Sequence, residues 1–310
     1  MTATEHHVRN GVLLAIGAYA FWGLVPLYYV PAKGVPAFEM LLHRVIWTCL
    51  ALIPLCFVQR LWPEVKYALT HREPLLTLCA TAFFIGGNWV IFMWAMTNDR
   101  VLHTSLGYFI NPLLFVLLGV FFLKERLRRA QIVSVALAAT GVGILIYRTG
   151  SLPWVALALP TLFALYGLFR RRVMVHTFAA LFIETLLLAP FAIAHWADLR
   201  GGGDAPFATR GGFMIGWFLL LGPITVVPLS MFGAAAKRIP FTVMGFCQYI
   251  APSGTFLLGV FYFREKFETT QFVTFVLIWV SLAIFTMDNL MTPRARVEMP
   301  IPDSLEVEAK

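Results

Sequence analysis

Charge is what this sequence has least of. Its 310 residues hold 24 Lys and Arg against 16 Asp and Glu, so 13% are charged, where an average soluble protein carries about 25%. A soluble fold of this size needs a largely polar or amphipathic surface, and this chain cannot make one. Cysteine is also scarce. Cys49, Cys56, Cys79 and Cys247 all fall in apolar stretches, with no CxxC pair and no Cys/His metal spacing. That excludes a disulfide framework and a zinc site, and leaves four small buried hydrophobes. The run Gly201-Gly202-Gly203 is not followed by Lys-Ser/Thr, so it is no phosphate loop. No H-E-x-x-H and no Asp/His cluster occurs inside the apolar stretches. A membrane-embedded enzyme has nothing to work with, and neither a metal nor a cofactor is expected. No repeated ring of charge or filter-like sequence speaks for a channel.

What the chain has is apolar mass: 59% AVILMFWYC, with 28 Phe and nine Trp. A hydrocarbon core needs about 20 apolar residues per helix. Ten windows meet this, at 11–30, 37–58, 75–97, 101–123, 130–147, 151–169, 176–196, 212–236, 241–263 and 269–287. They are apolar on all sides, whereas strands of a membrane barrel alternate, so helices are predicted. The first residues, MTATEHHVRN, lead into 11–30 without a small-residue cleavage site, which marks that run as a span rather than a signal peptide. A longer polar loop is expected at 197–211, and a disordered cytoplasmic tail at 291–310, where three prolines and alternating charge occur. The short loops leave no room for a nucleotide-binding or catalytic domain.

Loop charge sets an orientation. With the N-terminus inside, one side collects Arg9, Arg60, Lys66, Arg72, Lys124, Arg126, Arg128, Arg129, Arg170, Arg171, Arg172, Lys237, Arg238, Arg294, Arg296 and Lys310, sixteen in all; the other collects seven. Both termini are therefore expected in the cytoplasm. The chain also repeats. A shift of 140 aligns Pro112–Glu125 with Pro252–Glu265, LLGVF at 117–121 with LLGVF at 257–261, and Gln131 with Gln271. A weaker echo sets Trp22-Gly23 on Tyr166-Gly167. The expected fold is all-α: a polytopic membrane protein of ten transmembrane helices in two inverted five-helix repeats, spanning 11–147 and 151–287. Inverted repeats around a midplane site are the plan of many secondary transporters. The leading expectation is a transporter; the alternative is a structural or sensor subunit that carries nothing.

Few polar groups interrupt the spans. Glu39 and His43 are four apart on one face of span 2 and can pair; Arg44 lies about 100° further round than His43. Glu184 sits at the centre of span 7 with no basic residue within four positions, so it is either protonated or turned toward another helix. An offset of 145 sets Glu39 on Glu184. Glu184, Glu39 and His43 are the candidates for proton coupling, and polar ties between helices are the competing reading of the same groups. Tyr19, Trp22, His43, Arg44, Asn88, Trp89, Trp94, Tyr108, Asn111, Gln248 and Tyr249 combine aromatic faces with polar tips, the usual lining of an organic-ligand pocket. Pro112, Pro228 and Pro252 interrupt spans 4, 8 and 9 and are candidate gating kinks. The expected partners are a small organic substrate and membrane lipid, with no nucleic acid, for a monomer or homodimer.

The stretch NWVIFMWAMTNDRVLHTSLGYFINPLLFVLLGVFFLKERL, residues 88–127, closely resembles the RarD branch of the EamA transporters in the drug/metabolite transporter superfamily. So do Gly11 to Tyr28 around Trp22-Gly23, Glu39 with His43-Arg44 and Trp47, and Gln248 to Pro252 leading to Arg264-Glu265. One departure is mild: Pro252-Ser253 stands where the family usually has Pro-Thr. The resemblance implies ten helices, two inverted repeats and a bacterial inner-membrane location. It also brings the label of chloramphenicol sensitivity that such proteins often receive.

Overall fold

The computed structural model describes residues 3–32, 35–97, 101–150, 154–201, 211–262, 264 and 269–291. Among these, the long elements are all helices, as lipid demands: without water, each backbone N–H and C=O must be paired within its own segment. They are α1 (Ala3–Tyr28), α2 (Ala37–Val58), α3 (Trp62–Thr70), α4 (Arg72–Thr97), α5 (Val101–Phe122), α6 (Arg129–Thr149), α7 (Trp154–Arg170), α8 (Thr177–Gly201), α9 (Gly211–Ala236), α10 (Phe241–Gln248), α11 (Ile250–Leu257) and α12 (Thr269–Met291). Eight helical stretches are long and apolar enough to cross a membrane, α10 and α11 acting as one; α7 and the Gly107–Phe122 part of α5 are shorter apolar helices. Together they match the ten windows read from sequence. Phe83, Phe121, Phe191, Phe213 and Phe261 point outward, which suits a surface bathed in lipid.

Two local features depart from the sequence reading. The segment after α2 is not all loop: α3 is a short amphipathic helix that buries Val65 and Ala68 and sets Trp62 edge-on to Phe182 of α8. Span 9 is broken. α10 ends at Gln248, α11 starts at Ile250, and a π-turn over Leu258–Tyr262 follows. Pro252 explains the break, since it has no N–H to donate and its ring crowds the carbonyl of residue 248. Pro112 in α5 and Pro228 in α9 leave their helices continuous. The expected tail beyond residue 291 and most of the 197–211 loop lie outside the described residues.

Much of the packing has a counterpart when the two halves of the chain are exchanged. α2 lies on α8, α6 on α12 and α5 on α10; α4 packs on α7 as α9 packs on α1, and α5 meets α7 as α10 and α11 meet α1. The main apolar core joins α1, α2, α4, α5, α7, α8, α9 and α10, with α6 and α12 flanking it. Close crossings depend on glycine. A Cβ on Gly222 would clash with the Trp47 carbonyl oxygen of α2, and one on Gly245 would sit 2.8 Å from the Pro112 carbonyl oxygen of α5.

Lys124 and Arg264, which the 140-residue shift superimposes, each have φ 54°, as does Arg60. The left-handed turn at Lys124 folds the chain back at the end of α5, so that the Glu125 N–H donates to the Gly119 carbonyl at 2.9 Å. Gly119 is required there, because a Cβ would lie 2.8 Å from Glu125 Oε2. The motif LLGVF thus contains the glycine that admits the glutamate which follows it.

Candidate substrate site

The polar residues of the bundle gather in three places. The first is around Arg44, two turns into α2 and about 10 Å along it. Its Nε donates to Thr225 Oγ1 of α9 at 3.1 Å, and its guanidinium carbon lies 4.3 Å from the centre of the Trp89 ring of α4, a cation–π contact. Tyr29 and Tyr108 act on it electrostatically. Trp89 is buried, while Tyr108 is half exposed and lies within electrostatic range of the guanidinium. These residues come from both halves of the chain. His43, one position back, stacks parallel to Trp47 and packs on Phe218, with centroids 4.4 Å apart in the second case. Its Nδ1 accepts from Trp47 Nε1 at 3.2 Å, which puts the ring proton on Nε2. Glu39 is buried in the first turn of the same helix.

The second place is the crossing of α1, α5 and the α10–α11 junction. Tyr19 Oη, facing Gln248, and Gln248 Nε2 and Asn111 Oδ1 are buried on these helices without a hydrogen bond of good geometry among the described residues; Tyr249 Oη is unpartnered too, but its ring packs with Phe246 in the cluster of α5, α6 and α12. Buried polar atoms are nearly always satisfied, so the under-satisfied groups on α1, α5 and α10 ask for a ligand or water. Trp22 lies beside Tyr19 at 5.4 Å and continues into an aromatic stack with Phe163 and Phe232. Two of the candidates do other work: Asn88 Nδ2 donates to the Leu159 carbonyl at 2.8 Å, bracing α4 against α7, and Trp94 is exposed and pairs with Trp154.

The third place is the end of the bundle where α1 begins and α12 finishes. Glu184 is fully buried, and it has a counter-charge that sequence spacing did not show. Arg170 Nη1 lies 3.3 Å from Glu184 Oε1, both side chains being inaccessible. Tyr166 donates to Oε2 at 3.3 Å, and Arg170 Nη2 donates to the Thr177 carbonyl at 2.7 Å. Arg170 reads as a loop cation in the run Arg170-Arg171-Arg172, but the structure turns it inward from the last turn of α7. The signal for it was a lone mid-span carboxylate just past a tight α7–α8 hairpin that carries three arginines.

Around this pair the terminal end is tied shut. The Glu125 carboxylate accepts from the Phe241 N–H at 2.6 Å, the Thr242 N–H at 2.9 Å and the Thr242 hydroxyl at 2.8 Å, capping the N-terminus of α10 across the two halves. Arg171 lies 3.8 Å from Glu125 and donates to the Ile239 carbonyl at 3.2 Å. Lys237, just past the end of α9, donates to the Val175 carbonyl at 2.7 Å. Burial, then the nearby Arg170 guanidinium, lowers its ammonium to about 8. No group of His, Cys, Asp or Glu among the described residues could hold a metal ion.

Comparison with known proteins agrees with this architecture. Residues 9–147 match the model of the EamA-like transporter family. Protein RarD of Salmonella typhimurium is 43% identical over 93% of this chain and 98% of its own length. The "Uncharacterized transporter YojE" of Bacillus subtilis is 37% identical over 93% and 97%, and the "Chloramphenicol-sensitive protein RarD" of Pseudomonas aeruginosa is 31% identical over the same shares. A solved crystal structure shares the fold with a TM-score of 0.68, at 19% identity, over 91% of this chain and 99% of that one. With relatives this close over nearly its whole length, the chain belongs to the EamA-like transporter family, as a RarD-like multi-pass membrane protein.

Proposed function

We propose that this chain is a secondary transporter that moves a small organic molecule across the bacterial inner membrane by alternating access, in the direction of efflux. The carrying observation is the set of buried polar atoms without a good hydrogen bond among the described residues at Tyr19, Asn111 and Gln248, on helices of both halves and beside the Trp22 ring. In this reading, residues 11–147 and 151–287 are inverted units that rock about that site. Both termini face the cytoplasm, as the excess of loop Lys and Arg on their side supports.

The reading includes proton coupling through Glu184, with Glu39 and His43 as further carriers. A proton on Glu184 would cancel the charge that neutralises Arg170, so its arrival would change the energy of the shut terminal end. Relatives that carry the words "uncharacterized transporter" support transport in general. The word "chloramphenicol-sensitive" in one relative's name makes chloramphenicol a compound to try.

The test is counterflow in proteoliposomes. Purified protein should exchange a labelled substrate across the bilayer with and without a pH gradient, and Glu184→Gln should lose the pH dependence while keeping exchange. Retained pH dependence in Glu184→Gln would remove that residue from coupling. No exchange of any compound that binds would favour a non-transporting subunit.

A further inference from the structure

Arg44 is the one Lys or Arg, of 24, that belongs to neither set of loop cations. A charge at this depth costs about 2.5–3.5 kcal/mol even on insertion scales unless it is compensated. The compensation is partial. One N–H, at Nε, has an acceptor in Thr225, and the Trp89 face covers one side of the guanidinium plane. Nη1 and Nη2 have no hydrogen-bond or ion-pair partner among the described residues, yet they are not among the atoms sealed from solvent. The described ion pairs use Arg128, Arg170 and Arg171, all at the terminal end. The contrast with Arg170 is direct: the buried Arg170 has its carboxylate, and the half-buried Arg44 presents an open fork.

From this geometry we infer that the transported molecule is a small organic acid whose carboxylate seats on the free Nη1/Nη2 edge of Arg44, with its apolar body against Tyr108. The inference rests on the transporter reading and names its substrate class. A planar fork of two parallel N–H donors matches a carboxylate two-to-two. One guanidinium supplies one positive charge, and its ionisable neighbours are tyrosines rather than a second cation. That balances a monoanion and would leave a phosphate dianion in excess. Among the described residues no Asp or Glu makes an ion pair at the fork, so an ammonium group seated there would meet no bound carboxylate. The half-exposed Tyr108 ring offers a flat apolar wall within reach of the same guanidinium.

The probes are phenylacetate, its neutral amide phenylacetamide, the cation phenethylamine, and inorganic phosphate, each added to the purified full chain in a thermal-shift series. Phenylacetate should raise the melting temperature with concentration, and the other three should not. Arg44→Met should weaken the phenylacetate response by about 10-fold or more, the scale of a lost charge-assisted pair. Arg44→Lys keeps the charge but not the fork and should fall between. Melting temperature and gel-filtration profile without ligand establish that each variant is folded; if Arg44→Met does not fold, Arg44→Lys decides. Equal stabilisation by the amide, the amine or phosphate overturns the inference. So does an undiminished phenylacetate response in the folded variants, or the absence of any carboxylate-dependent shift. Counterflow of labelled phenylacetate separates the two claims. Binding without exchange sinks transport alone, and exchange of neutral compounds untouched by Arg44→Met sinks the organic-acid assignment alone.

Discussion

Arg170 and Glu184 stand or fall as a pair. Each is fully buried, and Tyr166 and the Thr177 carbonyl hold the two groups from either side. Taking away one partner strands the other charge in an apolar interior, which costs about 3–5 kcal/mol, whereas removing both is far milder. Arg170→Met should therefore lower the melting temperature sharply in detergent, and Arg170→Met with Glu184→Leu should recover most of the loss. A single variant that melts like the parent would show that the pair does not hold α7 to α8. Sequence spacing was blind to this contact because the residues lie in different helices. Glu184 drew notice for lacking a partner within four positions, and the partner sits one hairpin away.

At the scale of elements, the turn after α5 does the most. The left-handed Lys124 reverses the chain, Gly119 makes room, and Glu125 is delivered to the start of α10, where helix N–H groups have no intrahelical acceptors. A carboxylate at that position also meets the positive end of the helix dipole. Because α5 belongs to one half and α10 to the other, this cap is a bond that must break if the terminal end is to open. Glu125→Ala should cost about 0.5–2 kcal/mol as a lost cap, and it should speed labelling of Cys247, a buried thiol on α10, in a chain whose other cysteines are replaced. An unchanged labelling rate would show that the cap does not keep that end shut. The repeated LLGVF and KE/RE pattern was legible in the sequence; that it builds an inter-half cap was not, since only the fold sets Glu125 against Phe241 and Thr242.

At the scale of the molecule, the counterpart packing of α4 on α7 and α9 on α1, and of α5 on α7 and α10–α11 on α1, supports two units threaded in opposite senses. Five helices per unit is an odd number, so equivalent turns must emerge on opposite sides. Single cysteines at Lys124 and at Arg264 should thus react with a membrane-impermeant reagent from opposite faces of sealed vesicles, Lys124→Cys from inside the cell and Arg264→Cys from outside. Labelling from one face would overturn the inverted design and, with it, rocking about a shared site.

Composition and hydropathy alone were enough for the helices, their number and their membrane, because a bilayer allows few backbones and apolar windows of fixed length choose among them. The tertiary structure decided which polar groups meet. It sent Asn88 and Trp94 to brace and edge positions, buried Arg170 against Glu184, and left Arg44 facing Thr225, Trp89 and an open fork. Such partners are set by how helices far apart in sequence cross, and no periodicity along one helix carries that information.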